Sequence, residues 1–422
     1  MVISLLTIVN LMQTQGVPQA LSRAIAGGSD EAAAWRSALH VQGVASAGGF
    51  LLLALSAPIL ASVLDDERLL SGLLIAALAV PSYAVFATLG GVLNGRRDFV
   101  RQARMNAVYA LARVVCVLGL ALAFQFAGAI AGYAIAPLIA FAAVYSERPR
   151  GDGRAPFDWH ALVRFALPNV GLALALTAIM SIDLLFVKGI VPDDATAGIY
   201  AAAQNAARLT YFVIIPAGLV LFPAMAEAMA SGDRARQRVL VGDGIEGALA
   251  VVLVLTAVMT GARIPLLDLA FGTAYEGAAT AFELLAPALG CLAMAYTLAS
   301  LLTGSGHPHP PMRVAAVALG LQVAVEYPLT KGWGMSGAAF GTLIAATLCM
   351  LGEGVLVHRQ FGSVGEASRI ARLLLAAGGA YAVASLASSR LNVLPYCLAA
   401  TLVYVLLVIA LRVVPRRLRR TR

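Results

Sequence analysis

Runs of about 20 apolar residues recur along the whole chain, each long enough to cross a hydrocarbon core about 30 Å thick. Backbone that faces lipid must satisfy its own hydrogen bonds. The predicted fold class is therefore an all-α polytopic membrane protein. A barrel would show short segments of alternating hydrophobicity instead. Composition agrees: 60% of the 422 residues are apolar and 12% are charged, about half the charge that a soluble surface carries. Disorder is excluded, and so is a nucleic-acid partner despite the net charge of +8. Cys116, Cys291, Cys349 and Cys397 lie far apart inside apolar runs, with no metal or redox spacing. The opening stretch MVISLLTIVNLMQTQGVPQA lacks the basic flank of a signal peptide and reads as a membrane helix.

Charged and Gly/Pro-rich breaks divide the chain into thirteen expected transmembrane helices, at 2–20, 38–63, 69–93, 105–125, 128–146, 161–187, 198–229, 244–270, 278–303, 312–330, 335–357, 370–388 and 393–414. The connections are too short for a soluble domain. Alternate breaks carry 23 of the 30 Lys and Arg residues, the opposite breaks carry 5, and Arg113 and Arg208 fall inside spans. The positive-inside rule makes the richer side cytoplasmic. The C-terminus, with its basic tail from Arg412, is then inside and the N-terminus outside.

The chain also repeats itself. GVPQALSRAIA around Pro18 matches LFPAMAEAMA around Pro223, and GYAIAPLIA from Gly132 matches GAAFGTLIA from Gly337, both at an offset of 205. TLGGVLNG from Thr88 matches TLASLLTG from Thr297 at 209. Two parallel six-helix repeats are expected, with the first helix of the first repeat missing and two additional C-terminal helices. The expected domains are an N-terminal lobe at 1–150, a C-terminal lobe at 151–362, and 363–422 with the last two helices and the basic cytoplasmic tail.

These motifs resemble a known family. GVPQALSRAIA resembles the end of the second helix of polysaccharide exporters. IDLLFVKGIVPDDATAGIYAAAQNAARLTYF, from Ile182 to Phe212, resembles their seventh helix, outer loop and eighth helix, and LFPAMAEAMASGDRARQ resembles the segment that follows. The chain is similar over nearly its whole length to lipid-linked oligosaccharide flippases, relatives of the multidrug-and-toxin extrusion (MATE) antiporters. The resemblance implies two six-helix lobes with helices one, two, seven and eight around a central cavity. It also implies alternating access for a sugar chain on polyprenyl pyrophosphate, in a bacterial cytoplasmic membrane. The absent first helix would be one wall of that cavity.

Charge inside a span is the strongest site signal, because a central Arg costs about 2.5–3.5 kcal/mol on insertion scales. Arg113 shares a helical face with Asn106 and Tyr109, and Arg208 shares one with Tyr200, Gln204 and Tyr211. A guanidinium fork suits phosphate oxygens, and tyrosine offers a ring and a hydroxyl to a sugar. The structural alternative is that each Arg bonds free carbonyls of a neighbouring helix or snorkels. Asn10, Gln13 and Thr14 form a further polar face, with Arg23 beyond Pro18; they suit sugar hydroxyls or helix packing. Asp183 and Glu326 are the candidates for an ion-coupling site taking H+ or Na+. Asp268, Glu353 and Glu227 read as interfacial. GSGHPHPP, from Gly304 to Pro311, reads as a tight turn rather than a metal site.

The leading function is export of lipid-linked oligosaccharide for envelope polysaccharide, with membrane lipid and the polysaccharide biosynthesis machinery as partners. The alternative is a cation-coupled MATE-type antiporter. A membrane glycosyltransferase or polymerase would need a sizeable outer loop that is not found. No cofactor is implied.

Overall fold

The computed structural model describes residue 10 and residues 13–63, 67–149, 158–191, 194–362, 366–386 and 392–411. Most of the expected first span, Arg150, Arg154 and the tail 412–422 lie outside the described residues. Those described form helices α1 Val17–Ala26, α2 Glu31–Val63, α3 Glu67–Gly95, α4 Phe99–Ala143, α5 Trp159–Ile179, α6 Ile182–Ile190 and α7 Asp194–Ala230. They continue with α8 Arg234–Gly261, α9 Arg263–Phe271, α10 Ala279–Gly304, α11 His309–Phe361, α12 Ala367–Ala384 and α13 Val393–Ala410. Nine helical stretches among the described residues are long and apolar enough to cross a membrane.

Two of the nine are hairpins rather than rods. In α4 the backbone leaves the helix at Phe124 and Gln125, and in α11 at Gly334. A Cβ on Gly132 would lie 2.6 Å from the Val117 amide nitrogen, so the arms before and after Gln125 are in backbone contact. Gly337 likewise abuts the Leu329 carbonyl. Small residues at these crossings let helix backbones touch, which is how packing energy is gained where lipid is as apolar as leucine. The expected spans 105–125 and 128–146, and 312–330 and 335–357, are the arms of these hairpins.

The chain divides into two compact units, Met1–Leu174 and Ala175–Arg422. The division falls inside α5, later than the lobe boundary expected at 150. Two contacts tie the start of α5 to unit 1: Asn169 Nδ2 donates to the Gln15 carbonyl at 2.9 Å, and the Arg23 guanidinium lies 5.2 Å from the Phe165 ring centre.

Equivalent local geometry recurs in the two units at a constant offset of 209. The tight turn after α3 puts Arg97 at φ 58°, and the turn after α10 puts Gly306 at φ 96°. The hairpin residues Gln125 and Gly334 have φ 49° and 56°. Gly128 abuts the Leu120 carbonyl as Gly337 abuts that of Leu329, and Gly132 faces Val117 as Gly341 faces Glu326. This corrects the register read from sequence. Gly337 pairs with Gly128, not Gly132, because small residues recur every turn and a match can slide by one turn without changing composition.

Two expected spans are not continuous helices. The span 244–270 ends at Gly261, and the separate α9 follows after Ala262. The span 161–187 is broken at Met180–Ser181 into α5 and α6. The C-terminal helices pack on α8 through an alanine-rich core that includes Ala257, Leu373, Ala376, Ala380 and Tyr404. An Arg369–Glu246 ion pair of 2.7 Å locks that face, with only 9% and 12% of the two side chains exposed.

Candidate functional site

The break between α5 and α6 organises the polar interior of unit 2. No proline or glycine causes it. Ser181 takes φ −138°, and its amide bonds the Ala178 carbonyl rather than that of Thr177, which a regular helix would use. The carbonyls at the break are claimed by side chains from other helices. Gln322 Nε2 donates to the Ile179 carbonyl at 3.2 Å, and Arg208 Nη2 donates to that of Met180 at 3.3 Å and to Ser181 Oγ at 3.1 Å. Broken helices of this kind build ion and substrate sites in secondary transporters.

Asp183 sits in the first turn of α6, where the helix N-terminus favours a negative charge. It is fully buried. Tyr200 donates its hydroxyl to Oδ2 at 2.6 Å, Gln204 Nε2 donates to Oδ1 at 2.6 Å, and Thr342 Oγ1 donates to Oδ2 at 3.0 Å. The Leu184 amide donates to Oδ1 at 2.8 Å. Gln322 Nε2 reaches Thr342 Oγ1 at 3.1 Å, extending the network to the first arm of α11. Glu326, one turn beyond Gln322, is also fully buried and interacts electrostatically with Asp183. Neither of its oxygens has a hydrogen bond of good geometry among the described residues. Its carboxyl group occupies the space a Cβ on Gly341 would need.

The structure therefore brings Asp183 and Glu326 together, and joins Tyr200, Gln204 and Arg208 to the same network. It changes the roles of some of them. Tyr200 and Gln204 are 0% and 2% exposed, with their polar ends committed to Asp183, so they position that carboxylate rather than line an open surface. Tyr211 departs from the stripe and packs edge-on against Tyr296 of α10, with ring centres 6.0 Å apart. Arg208 caps the helix break, and its Nη1 donates outward to Asn205 at 3.3 Å. Glu353 is not interfacial: it is fully buried, and neither of its oxygens has a partner among the described residues.

In unit 1, Arg113 stands midway along the first arm of α4, exposed, 5.4 Å from the Tyr109 ring centre and 5.9 Å from that of Tyr133. Tyr83 and Phe86 of α3 extend this aromatic wall, with ring centres 4.9–5.8 Å apart among Tyr83, Phe86 and Tyr109. At the offset of 209, Arg113 and Tyr133 occupy the positions that Gln322 and Thr342 hold in unit 2. The remaining unit 1 candidates are separate from this patch. Gln13 is buried and accepts from Gln42 at 2.5 Å, a helix-packing bond. The buried Oδ1 of Asn10 has no partner among the described residues. Arg23 is half-buried against Phe165. The turn at His307 is closed by Gln360, which donates to Ser305 Oγ at 2.8 Å, and no metal-binding cluster occurs among the described residues.

The sequence model of the polysaccharide biosynthesis protein family matches residues 1–229, more than half of the chain. The chain belongs to this family. No curated protein sequence matches it. Among solved structures, it is similar to the Vibrio cholerae MATE transporter VcmN in its bent form, at 15% identity and TM-score 0.71, over 85% of this chain and 87% of that one. The eukaryotic MATE transporter AtDTX14 is similar at 15% identity and TM-score 0.71, over 84% and 86% of the two chains. A MATE protein in a bent conformation is similar at 14% identity and TM-score 0.73, over 89% and 87%. The polysaccharide biosynthesis family member thus has the MATE transporter fold and is a multi-pass membrane protein. Gln322 and Thr342 were missed in the sequence because neither carries charge and the partners that tie them to the helix break, Ile179 and Asp183, lie more than 140 residues away.

Proposed function

We propose that this protein moves polyprenyl-pyrophosphate-linked oligosaccharide across the bacterial cytoplasmic membrane, driven by a monovalent cation bound at Asp183 and Glu326. The observation that carries this reading is the buried carboxylate pair at a helix break. Two carboxyl groups interact there inside an apolar bundle, and Arg208 lies beside only one of them. A proton or Na+ offsets the charge that burial makes costly. Occupancy then alters the network that joins α6, α7 and both arms of α11.

On this reading the substrate's pyrophosphate is met by guanidinium groups. Arg113 has the better geometry, being exposed, flanked by rings that can stack a sugar, and without a carboxylate partner among the described residues. Arg23, half-buried at the end of α1, is a second guanidinium of the same unit, whereas Arg208 is held at the helix break by the Met180 carbonyl and Ser181. A mid-span cation favours an anionic headgroup over the organic cations an antiporter would carry. The second reading, a cation-coupled MATE-type antiporter, draws on the fold it shares with MATE transporters. The biased Lys and Arg distribution supports a cytoplasmic C-terminus.

Reconstitution into liposomes tests both readings. Gradient-driven flipping of lipid-linked oligosaccharide, abolished by Asp183→Asn and weakened by Arg113→Gln, is the expected result. Gradient-driven efflux of an organic cation with no flipping would replace it with the antiporter reading.

A further inference from the structure

Glu353 has no place in the network described above. It lies on the second arm of α11, fully buried, with neither carboxylate oxygen hydrogen-bonded among the described residues. No charged side chain interacts with it among those residues; its one titratable neighbour there is Cys349, one turn earlier. A permanently charged group in such a place has neither hydrogen bonds nor a countercharge to offset burial. A group that exchanges a proton does not need them.

Its position is not arbitrary. Thr342, Cys349, Glu353 and Gln360 follow one face of the second arm at helical spacing. Thr342 bonds Asp183, and Gln360 bonds Ser305 and lies 3.1 Å from the exposed ring of His307. Between them, Cys349 interacts with both Glu353 and Tyr211, the latter on the helix that carries Tyr200 and Gln204. Glu353 thus stands about 16 Å along the helix from Thr342 and about 10 Å from Gln360, at 1.5 Å per residue. It lies on one helix face between the Asp183–Glu326 pair and the end of unit 2 that carries Arg313 and Arg359.

We propose that Glu353 is a proton-binding site that exchanges protons between the Asp183–Glu326 pair and the Arg359 end of the bundle. The inference rests on the coupling reading above, with the proton as the coupled ion. Each transfer breaks one O–H bond on the donor, a protonated carboxyl group of the Asp183–Glu326 pair or a hydronium ion at the Arg359 end, and forms one on a Glu353 carboxylate oxygen. Release breaks that bond and forms one on a carboxylate of the pair or on water, with no electron transferred.

The test uses the full chain in liposomes, with infrared difference spectra of carboxyl groups after a pH jump alongside proton-driven flipping. Glu353→Gln and the apolar Glu353→Met should both fold and should each lose one titrating carboxyl band. Their proton-driven rate should fall about a hundredfold, the lower end of what a positioned proton-transfer group contributes, and its pH profile should flatten. Glu353→Asp should restore part of the rate. An unchanged pH profile and an unchanged set of bands in both variants, while Asp183→Asn abolishes the proton drive, would overturn the proposal. If no version of the chain flips lipid-linked oligosaccharide, the coupling reading fails and the infrared arm alone decides. A band lost with Glu353 then supports the proton site, and an unchanged set overturns it.

Discussion

Gly341 has no side chain because the Glu326 carboxyl group fills the space one would occupy. Gly341→Ala should therefore push Glu326 out of place and destabilise the protein by about 1–3 kcal/mol, the usual cost of overpacking. Thermal unfolding in detergent measures it, and a melting temperature equal to the parent's would contradict the placement of Glu326. Asp98 gives a pH prediction outside the spans. Its carboxylate accepts from the Arg101 backbone amide at 3.1 Å and pairs with the Arg101 guanidinium at 2.6 Å. The backbone bond first, and the guanidinium with it, hold its pKa below the ordinary carboxylate value. A carboxyl group depressed on folding stabilises above its unfolded pKa, about 3.9, and loses that contribution as pH falls through the folded value. Amide protection in the first turn of α4 should be level from neutral pH to about 5 and drop below about 4. Asp98→Asn should keep the cap and lose the acid-dependent drop, whereas Asp98→Ala should cost about 1 kcal/mol near neutral pH and progressively less below about pH 4, where the parent loses the same contribution. An acid drop of the same size in Asp98→Asn would assign it to another group.

The helical elements were largely legible because apolar runs and charged breaks fix where a membrane helix begins and ends. The hairpin arms 105–125 and 128–146 were separated correctly although the backbone passes between them with only two non-helical residues. The break at Met180–Ser181 was not legible. LTAIMSIDLLF reads as uninterrupted helix, and the break is held open by Gln322 and Arg208 from elements far away in sequence. Arg208 was found by its charge, but its capping of the Met180 carbonyl was visible only as one of two alternatives. The two hairpin bends make a prediction at this scale. Both need positive φ, yet one is Gly334 and the other is Gln125. A side chain in such a conformation costs about 1–3 kcal/mol. Gln125→Gly should raise the melting temperature and Gly334→Gln should lower it. The opposite pair of shifts would show that the bends are not set by backbone strain.

At the scale of the whole molecule, two units built on one plan carry different chemistry at matching positions. Where unit 2 has Gln322, Glu326 and Thr342 around Asp183, unit 1 has Arg113, Val117 and Tyr133. The same place in the fold holds a buried acidic network in one unit and an exposed cation with an aromatic wall in the other. An acidic site suits a cation, and an exposed guanidinium beside rings suits a phosphorylated sugar. On the transport reading, the two tasks are divided between the units and should separate in mutants. Arg113→Gln should raise the Kd for lipid-linked oligosaccharide about tenfold, a loss of about 1.4 kcal/mol of substrate binding, while leaving the dependence of rate on the ion gradient unchanged. Asp183→Asn should do the reverse: substrate should still bind, with similar affinity, but a gradient should no longer drive it. Binding to the detergent-solubilised protein gives the first quantity, and flipping in liposomes with and without a gradient gives the second. The double variant should show both losses independently, because neither residue shares a partner with the other in the contacts of its own unit. Loss of gradient dependence in Arg113→Gln, or loss of substrate binding in Asp183→Asn, would mean that the substrate and the ion compete for one site, and the division of labour between the units would have to be abandoned.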